Sequence, residues 1–358
     1  MQTPQSPVSS GTLARVDAIL DAFLTDKAGR AAGQRLPGEI SGTLRDFLFS
    51  GGKRVRPLLC VAGWHATAGD TDTPDPVLRA AASLELFHAF ALIHDDVMDG
   101  SSTRRGRPTV HRAFTMRHAD ARTPATAARL GAGAAVLIGD MALAWSDELL
   151  HTSGLAQDQL TAALRVIDTM RTELMYGQYL DLLTTGRPDA NSERPLWIAR
   201  HKTAKYTVER PLHLGAALAA AGPDIQEAMS AYALPIGEAF QLRDDILGVY
   251  GAPGQTGKGR LDDLRDGKNT ALVAHAYHSA DAAQRRVLDS LVGDPALDDD
   301  GAARIRDVLE ATGARTRVED MIRTRHERAC RILDQAPFHP AAVPSLRRLA
   351  DAVAWRTS

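Results

Sequence analysis

Two clusters of aspartate, far apart along the chain, each end an apolar stretch. The first consists of Asp95, Asp96 and Asp99, at the end of segment 87–99. Carboxylates three or four residues apart share one face of a helix. They repel one another there and oppose the helix macrodipole, so we expect a cation beside them. Mg²⁺ is one candidate, because it takes carboxylate oxygens and shares its shell with phosphates. In a simply salt-bridged helix end, the cations would be the arginines that follow: Arg104, Arg105 and Arg107.

The second cluster is the pair Asp244 and Asp245, which also ends an apolar stretch. A glycine-rich segment with Lys258 follows it, and Lys268 comes after further aspartates. Two acidic helix ends, each followed by cations, are the arrangement expected if Mg²⁺ ions clamp a diphosphate between them. In that role the metal neutralises the oxygens of a leaving group.

Segment 51–57 places three cations behind a flexible turn, namely Lys53, Arg54 and Arg56. Pro57 follows them, at the start of a helix where proline is tolerated. Backbone amides at a helix start also attract phosphate. A solvated basic loop is the alternative interpretation. Together with the acidic clusters, this segment favours a protein that holds two anions, one through metal and one directly.

The composition is that of a globular protein with no overall preference for polyanions. Among 358 residues, 42 Lys and Arg stand against 44 Asp and Glu, a net charge of −2. This balance argues against nucleic-acid binding through overall basicity. The two cysteines, Cys60 and Cys330, are far apart; they indicate neither a disulfide framework nor a zinc site and favour a reducing compartment.

The sequence shows neither a secretory signal nor a membrane-spanning run. No basic start followed by an apolar stretch opens the chain. The longest apolar stretch, 130–139, falls well short of the roughly 20 residues that a membrane helix needs. We therefore expect a soluble, cytoplasmic protein without an integral membrane segment.

Helical periodicity dominates the chain. An apolar stripe at steps of three and four begins after Gly11, and residues 1–11 are expected to form a flexible N-terminal segment. Glycine and proline fall mainly between the helical segments, and alternating strand patterns are missing. We predict an all-α protein with a single domain over residues 1–358. Its further helices are predicted at 76–98, 124–151, 155–183, 192–221, 224–250, 302–333 and 345–355.

Six blocks of sequence together resemble the trans-isoprenyl diphosphate synthases, or polyprenyl synthetases. They are GGKRVRP at 51–57, HDDVMDGSSTRRGRPTVH at 94–111, GQYLDL at 177–182, HKTAKYTVERP at 201–211, FQLRDDILGVYG at 240–251 and TGKGRLDDLRDGKNT at 256–270. The ordered set is far more specific than a single DDxxD motif. The resemblance implies one large helical bundle of the isoprenoid synthase type, with a central active-site cavity, in a homodimer.

The implied activity is that of a Mg²⁺-dependent prenyltransferase in isoprenoid biosynthesis. Isopentenyl diphosphate would condense with an allylic diphosphate (dimethylallyl, geranyl or farnesyl) to give a short-chain all-trans product. Metal ions and cationic side chains stabilise the departing diphosphate electrostatically. The allylic cation is then attacked by the double bond of isopentenyl diphosphate, and a proton is lost.

The resemblance also implies a role for each matching position. The ligands of about three Mg²⁺ ions would be Asp95, Asp96, Asp99, Asp244 and Asp245, with Asp96 and Asp245 as ligands or second shell. Isopentenyl diphosphate would be bound by Lys53, Arg56, His88 and Arg105. The allylic diphosphate would be bound by Arg104, Lys202, Thr203, Gln241, Lys258 and Lys268. The groups nearest the reacting carbons, which steady the cation, would be Lys202, Thr203, Phe240 and Gln241.

One position departs from the familiar pattern, because the second motif ends in Gly248 rather than aspartate. The loss removes the carboxylate partner of Asp244 one turn away, and Asp262 or Asp263 could replace it. A catalytically weak modulating subunit of another prenyltransferase is therefore one alternative, although the intact first motif argues against it. A class I terpene cyclase is another, but a cyclase needs no second diphosphate site.

Product length is predicted from the helix before the first motif. At 1.5 Å per residue, Phe90 would lie roughly 7–8 Å below the metal and Phe87 about 12 Å below it. A growing chain would meet Phe90, pass the small Ala91 and then meet Phe87. This pattern is similar to that of geranylgeranyl diphosphate synthases and favours a C20 product. A C15 farnesyl product is the second choice and a longer product the third. The alternative interpretation of both rings is packing in the core.

Overall fold

The computed structural model describes residues 10–69, 72–251 and 261–355. The predicted all-α class is confirmed. The helices are α1 (Ser10–Gly33), α2 (Glu39–Phe49), α3 (Val55–Ala68), α4 (Asp75–Met98), α5 (Val110–Arg117), α6 (Pro124–His151), α7 (Gln157–Thr184), α8 (Glu193–Ile198), α9 (Arg210–Leu218), α10 (Pro223–Tyr250), α11 (Asp262–Arg265), α12 (Ala271–Ser279), α13 (Ala282–Leu291), α14 (Asp299–Ala311), α15 (Ala314–Gln335) and α16 (Val343–Ala354). A π-helix covers Ala199–Glu209, and β1 (Thr103–Arg104) pairs antiparallel with β2 (Arg107–Pro108).

Most predicted helices agree with the structure to within a few residues, and two differ. The predicted helix 302–333 is divided into α14 and α15, because Gly313 lies in the left-handed region at φ 71° and stops the first of them. The predicted helix 192–221 is divided into α8, the π-helix and α9. Of the N-terminal segment expected to be flexible, residues 1–9 lie outside the described part, and Ser10 and Gly11 already belong to α1.

The chain divides into two compact units, each assembled from separate segments. Unit 1 comprises Met1–Leu164, Pro211–Ala221 and His339–Ala342, and unit 2 comprises Arg165–Arg210, Gly222–Phe338 and Val343–Ser358. The family resemblance extends over segments of both units. A single domain over the whole chain stays a prediction.

In unit 1, α4 is the central helix. It packs against α1, α2, α3 and α6, and Leu84, Leu86 and Ile93 are fully enclosed. The burial of such side chains contributes about 1.5–3 kcal/mol each. The packing therefore fixes the last turn of α4, which carries Asp95 and Asp96.

In unit 2, α10 has the corresponding role. It packs against the π-helix, α15 and α16, and Leu242 and Ile246 belong to its hydrophobic core. Arg243 holds the same turn, because its guanidinium donates to Glu319 at 2.8 and 2.7 Å and to the Ala354 carbonyl at 3.0 Å. Asp244 and Asp245 thus lie in the last two turns of α10, which are anchored by both apolar and ionic contacts.

Two described helices, α4 and α6, are long and apolar enough to cross a membrane by length and composition alone. The apolar window of α4 is 72% buried and that of α6 is 33% buried. Core helices of soluble proteins pass the same test, so an integral membrane segment is not strongly indicated.

Candidate functional site

The first acidic cluster lies at the end of α4, as predicted. The backbone N–H of Asp99 donates to the Asp95 carbonyl at 2.8 Å and closes the last turn. Arg104 is the cation beside it: its Nε and one terminal nitrogen bind both oxygens of Asp96 at 2.8 and 2.7 Å, and it reaches Asp95 at 3.4 Å. Asp96 is 1% exposed. Asp96 is therefore held by arginine, whereas the carboxylates of Asp95 and Asp99 are more accessible.

The charge state of Arg104 follows from these contacts. Burial alone would lower the pKa of its guanidinium, but the hydrogen bond to Asp96 and the charges of Asp95 and Asp99 raise it overall. The arginine stays charged and offsets part of the repulsion among the aspartates. One of the two candidate partners at this helix end is thus present within the chain itself.

A two-residue turn follows Arg104 and contains the next cation, Arg105. Arg105 and Gly106 both have positive φ, 53° and 73°, as a tight hairpin between β1 and β2 requires. A non-glycine residue in this region is strained, and such strain clusters at functional sites. The turn directs Arg105 away from the aspartates: its guanidinium donates to the carbonyls of Phe47 and Gly51.

Arg105 thereby joins the basic segment 51–57. A Cβ at Gly52 would lie 3.2 Å from one Arg105 nitrogen and 3.4 Å from an Arg54 nitrogen, so both guanidinium groups border this glycine. Arg54 is structural, since it is buried and binds Asp17 at 2.8 Å and Glu85 at 3.1 Å. Besides Arg105, the predicted ligands of isopentenyl diphosphate are Lys53, Arg56 and His88.

His88 lies within reach of the charges of several arginines. Burial lowers its pKa well below the ordinary value, and the charges of Arg56, Arg105, Arg104 and Arg54 lower it further. The imidazole is therefore neutral at pH 7 and can donate one hydrogen bond. Lys53 is exposed beside this group. Arginine side chains gathered in this way are suited to binding a diphosphate.

In unit 2, the π-helix carries Lys202 and Thr203 between two glycines of neighbouring helices. A Cβ at Gly177 of α7 would lie 2.4 Å from the backbone nitrogen of Lys202, and one at Gly237 of α10 would lie 2.4 Å from the Ala204 Cα. Any side chain at either position would push the helices apart. Within soluble proteins π-helices occur mostly as short insertions at functional sites.

Two predicted diphosphate ligands share one carboxylate. The ammonium group of Lys202 lies 2.6 Å from an Asp181 oxygen, and that of Lys268 lies 3.6 Å from the same atom. Asp181 had no predicted role, although it is the aspartate of the GQYLDL block. Its place in that block was the one indication in the sequence that Asp181 has a role. Its contact with two lysines that are distant in sequence becomes visible only in the folded chain.

Thr203 and Gln241 form a hydrogen-bonded chain that leads to the second motif. The Thr203 hydroxyl donates to the Gln241 side-chain oxygen at 2.6 Å, and the Gln241 amide donates to Asp245 at 2.9 Å. The pKa of Asp245 is raised to about 7, chiefly by burial; the hydrogen bond from Gln241 lowers it, and the charges of Asp263 and Asp244 raise it.

Asp263 stands where the missing carboxylate of the second motif would begin. A Cβ at Gly248 would lie 2.8 Å from its Oδ2 atom. Of the two replacements considered, Asp262 and Asp263, the second therefore lies beside the motif. Carboxylate oxygens are the donors that Mg²⁺ prefers. This part of unit 2 offers those of Asp245 and of Asp244 and Asp263, whose charges act on Asp245.

The remaining predicted residues occupy varied positions. Phe87 is 1% exposed and its ring lies 5.4 Å from that of Phe90, which also meets the His94 ring at 4.8 Å. Ala91 and Phe240 are partly exposed. Lys258 lies outside the described residues. The predicted set is divided between the units, with the α4 and 51–57 groups in unit 1 and the α10 and π-helix groups in unit 2.

Comparison with known proteins extends this description. A family model described as polyprenyl synthetase matches residues 38–310. A geranylfarnesyl diphosphate synthase of Aeropyrum pernix is 34% identical over 316 residues, 87% of this chain and 92% of that protein. A (2E,6E)-farnesyl diphosphate synthase of Mycobacterium tuberculosis is 35% identical over 267 residues, 74% of this chain and 68% of that protein.

Among solved structures, the geranylgeranyl pyrophosphate synthase of Corynebacterium glutamicum is similar with a TM-score of 0.90 at 38% identity. The match covers 95% of this chain and 97% of that one. That enzyme was crystallised with isoprenyl diphosphate and magnesium.

Proposed function

The chain belongs to the polyprenyl synthetase family of trans-prenyltransferases, and we propose that it condenses isopentenyl diphosphate with allylic diphosphates to form geranylgeranyl diphosphate. Mg²⁺ is the proposed cofactor, with about three ions per site. The relatives carry names that range from farnesyl to geranylfarnesyl synthase, so the family alone leaves the product length open.

The observation that carries the proposal is that the neighbouring residues Arg104 and Arg105 of unit 1 bind different partners. Arg104 binds the acidic end of α4, while Arg105 turns towards Gly51 and the group that contains the Arg56 cation and the neutral His88. This arrangement supports two anion sites of different kinds, one for a diphosphate held through metal and one for a diphosphate held directly. A terpene cyclase would need the first alone.

In the proposed mechanism, bound Mg²⁺ supplies charge stabilisation to the departing diphosphate. In unit 1, Asp95 and Asp99 would hold Mg²⁺. In unit 2, Asp244 would hold Mg²⁺, and the carboxylate of Asp263 would take the place of the aspartate absent at Gly248. Asp96 would position Arg104, and Asp245 would position the Gln241 amide.

The other side chains have distinct tasks. Lys202, Lys268 and Lys258 would bind the allylic diphosphate and stabilise it as the C–O bond breaks. The oxygens of Thr203 and Gln241 and the ring of Phe240 would face the positive charge that develops on the allylic carbon. The π bond of isopentenyl diphosphate then forms the new C–C bond. A proton leaves the adjacent carbon and is taken by the released diphosphate.

Isopentenyl diphosphate would be bound by Lys53, Arg56, Arg105 and neutral His88. The proposed C20 product relies on Phe90 as the first obstacle below the metal and on Phe87 behind it. Their ring contact supports a stiff floor, because a pair of packed aromatic rings resists displacement.

The proposal includes a cytoplasmic homodimer. Exposed apolar residues in each unit support it. In unit 1, Leu137 of α6 is 63% exposed; in unit 2, Tyr176, Tyr179 and Leu183 of α7 are 66, 58 and 53% exposed. Light scattering after gel filtration should give twice the mass of 38.5 kDa. Both cysteines are free, as a protein of a reducing compartment requires.

Turnover of the purified chain alone tests the function. It is incubated with Mg²⁺, isopentenyl diphosphate and each of the C5, C10 and C15 allylic primers, and the products are identified by mass spectrometry. We expect geranylgeranyl diphosphate from all three. No product would favour the modulating subunit, and a cyclic hydrocarbon from the allylic substrate alone would favour the cyclase. Asp95→Asn should abolish turnover, whereas Asp75→Asn, at an exposed position in the first turn of the same helix, should not.

A further inference from the structure

Three potential metal ligands of different types meet on the last two helices. His326 and Cys330 lie four residues apart on one face of α15, and Asp351 comes from α16, which packs against α15. The His326 Nε2 atom lies 2.7 Å from an Asp351 oxygen and 3.7 Å from the Cys330 sulfur. All three ligand atoms lie within 4.8 Å of one another.

Two of these distances can be compared with those of a tetrahedral zinc centre, and the third, from the sulfur to the carboxylate oxygen, is at most 4.8 Å. With zinc–sulfur bonds of about 2.3 Å and zinc–nitrogen or zinc–oxygen bonds of about 2.0 Å, neighbouring ligands lie about 3.5 Å apart for S···N and about 3.3 Å for N···O. The sulfur and the imidazole are already separated by nearly the first distance. The carboxylate would have to retreat by about 0.6 Å, and Asp351 is free to do so because its side chain is 52% exposed.

Neighbouring side chains hold His326 and Cys330 in place, whereas the side of the cluster at Asp351 is open to solvent. The side chain of His326 is 15% exposed, and its ring meets Trp355 edge-on at 5.5 Å. The thiol has Arg347, Asp351 and Asp334 as charged neighbours and is hydrogen-bonded with Arg347, which is itself bound to Asp334 at 2.6 Å. The charges of Arg347 and Asp334 therefore largely cancel. A divalent ion would meet one thiolate and one carboxylate, and its own charge would be balanced.

We propose that His326, Cys330 and Asp351 form a binding site for Zn²⁺ or a similar thiophilic divalent ion, with water in the fourth position. Thiolate and imidazole ligands select such ions, whereas Mg²⁺ prefers oxygen. The site is separate from the aspartate motifs. Its ion would fasten α16 to α15 and so stabilise the C-terminal part of unit 2.

Cobalt provides the test, because a Co²⁺–thiolate bond produces a near-ultraviolet charge-transfer band. The full-length chain is stripped with chelator, exchanged into chelator-free buffer and titrated with Co²⁺ alone. We expect a thiolate band that saturates at one ion per chain, that Zn²⁺ abolishes and that excess Mg²⁺ leaves unchanged. Cys330→Ser should remove the band. His326→Gln and Asp351→Asn should each weaken binding by at least about 10-fold.

Glu327→Gln is the matched control, since Glu327 is exposed on the same helix beside His326 and should leave the titration unchanged. Zn²⁺ should also raise the Tm of the wild-type chain and of Glu327→Gln but not that of Cys330→Ser. Circular dichroism verifies that each variant is folded, and the two ligand variants keep the test decisive if Cys330→Ser does not fold. Absence of the band in the wild type, or its survival in Cys330→Ser, would overturn the proposal.

Discussion

The substitution Asp263→Asn tests whether this carboxylate completes the second metal motif. Asparagine keeps the shape of the side chain and removes its charge. In the structure Oδ2 of Asp263 lies 2.8 Å from the position of a Cβ at residue 248, and its charge is one of the causes that raise the pKa of Asp245. Binding of Mg²⁺ relieves the repulsion between the carboxylates of Asp263 and Asp245. A neutral residue 263 therefore weakens Mg²⁺ binding in two ways: a carboxylate donor is lost, and less repulsion is relieved when the ion binds.

The expected size follows from the place of Asp263 around the metal. Loss of even an outer-shell partner weakens metal binding by about 10- to 100-fold, which corresponds to about 1.4–2.8 kcal/mol. We therefore expect the Mg²⁺ concentration for half-maximal velocity to rise by about 10- to 100-fold. The maximal velocity at saturating Mg²⁺ should change less, because Lys202 and Lys268 still stabilise the leaving diphosphate.

Asp262→Asn is the matched control, since it removes an equal charge one residue away. Velocity is measured against Mg²⁺ concentration, and calorimetry measures Mg²⁺ binding in the presence of inorganic diphosphate without turnover. Gly248→Ala should produce a smaller shift, because its Cβ would displace the Asp263 carboxylate from its position without removing the charge. A larger effect from Asp262→Asn than from Asp263→Asn, or no effect from either, would refute the reasoning.

Three further predictions concern other parts of the chain. Arg105→Lys should raise the KM for isopentenyl diphosphate about 10-fold or more, because lysine cannot reproduce the fork of donors; an equal rise for the allylic substrate would contradict the assignment. Phe90→Ala should lengthen the product, seen by mass spectrometry, and an unchanged C20 product would remove Phe90 as the floor. Glu173→Gln should lower the free energy of unfolding by about 3 kcal/mol, since Glu173 binds Lys205 and Arg210. Burial alone would raise the pKa of Glu173, but these cations lower it overall. Its contribution is therefore complete above the ordinary carboxyl pKa and lost as pH falls through the lowered value, so urea unfolding of wild type and variant should converge in acid; a constant difference would contradict the linkage.

Local sequence patterns sufficed for the elements that carry the site. An apolar helical stripe that ends in acid predicts α4 with Asp95 and α10 with Asp244, because side-chain periodicity and helix-end chemistry depend on neighbours within one or two turns. The division at Gly313 was missed although glycine is a helix terminator. The π-helix was missed for another reason: its extra residue per turn is fitted to the glycines of α7 and α10, which lie elsewhere in the chain.

Residue types and their order determined the class of this protein: an all-α polyprenyl synthetase with two acidic motifs and a basic turn. The tertiary structure decided how neighbouring identical residues divide their tasks. Arg104 binds aspartate while Arg105 joins the basic turn, and Asp263 rather than Asp262 stands beside Gly248. Widely spaced cysteines indicated no zinc site, yet folding brings His326 and Asp351 to Cys330. Such pairings depend on the direction of a side chain and on contacts across long stretches of sequence, and packing alone fixes both.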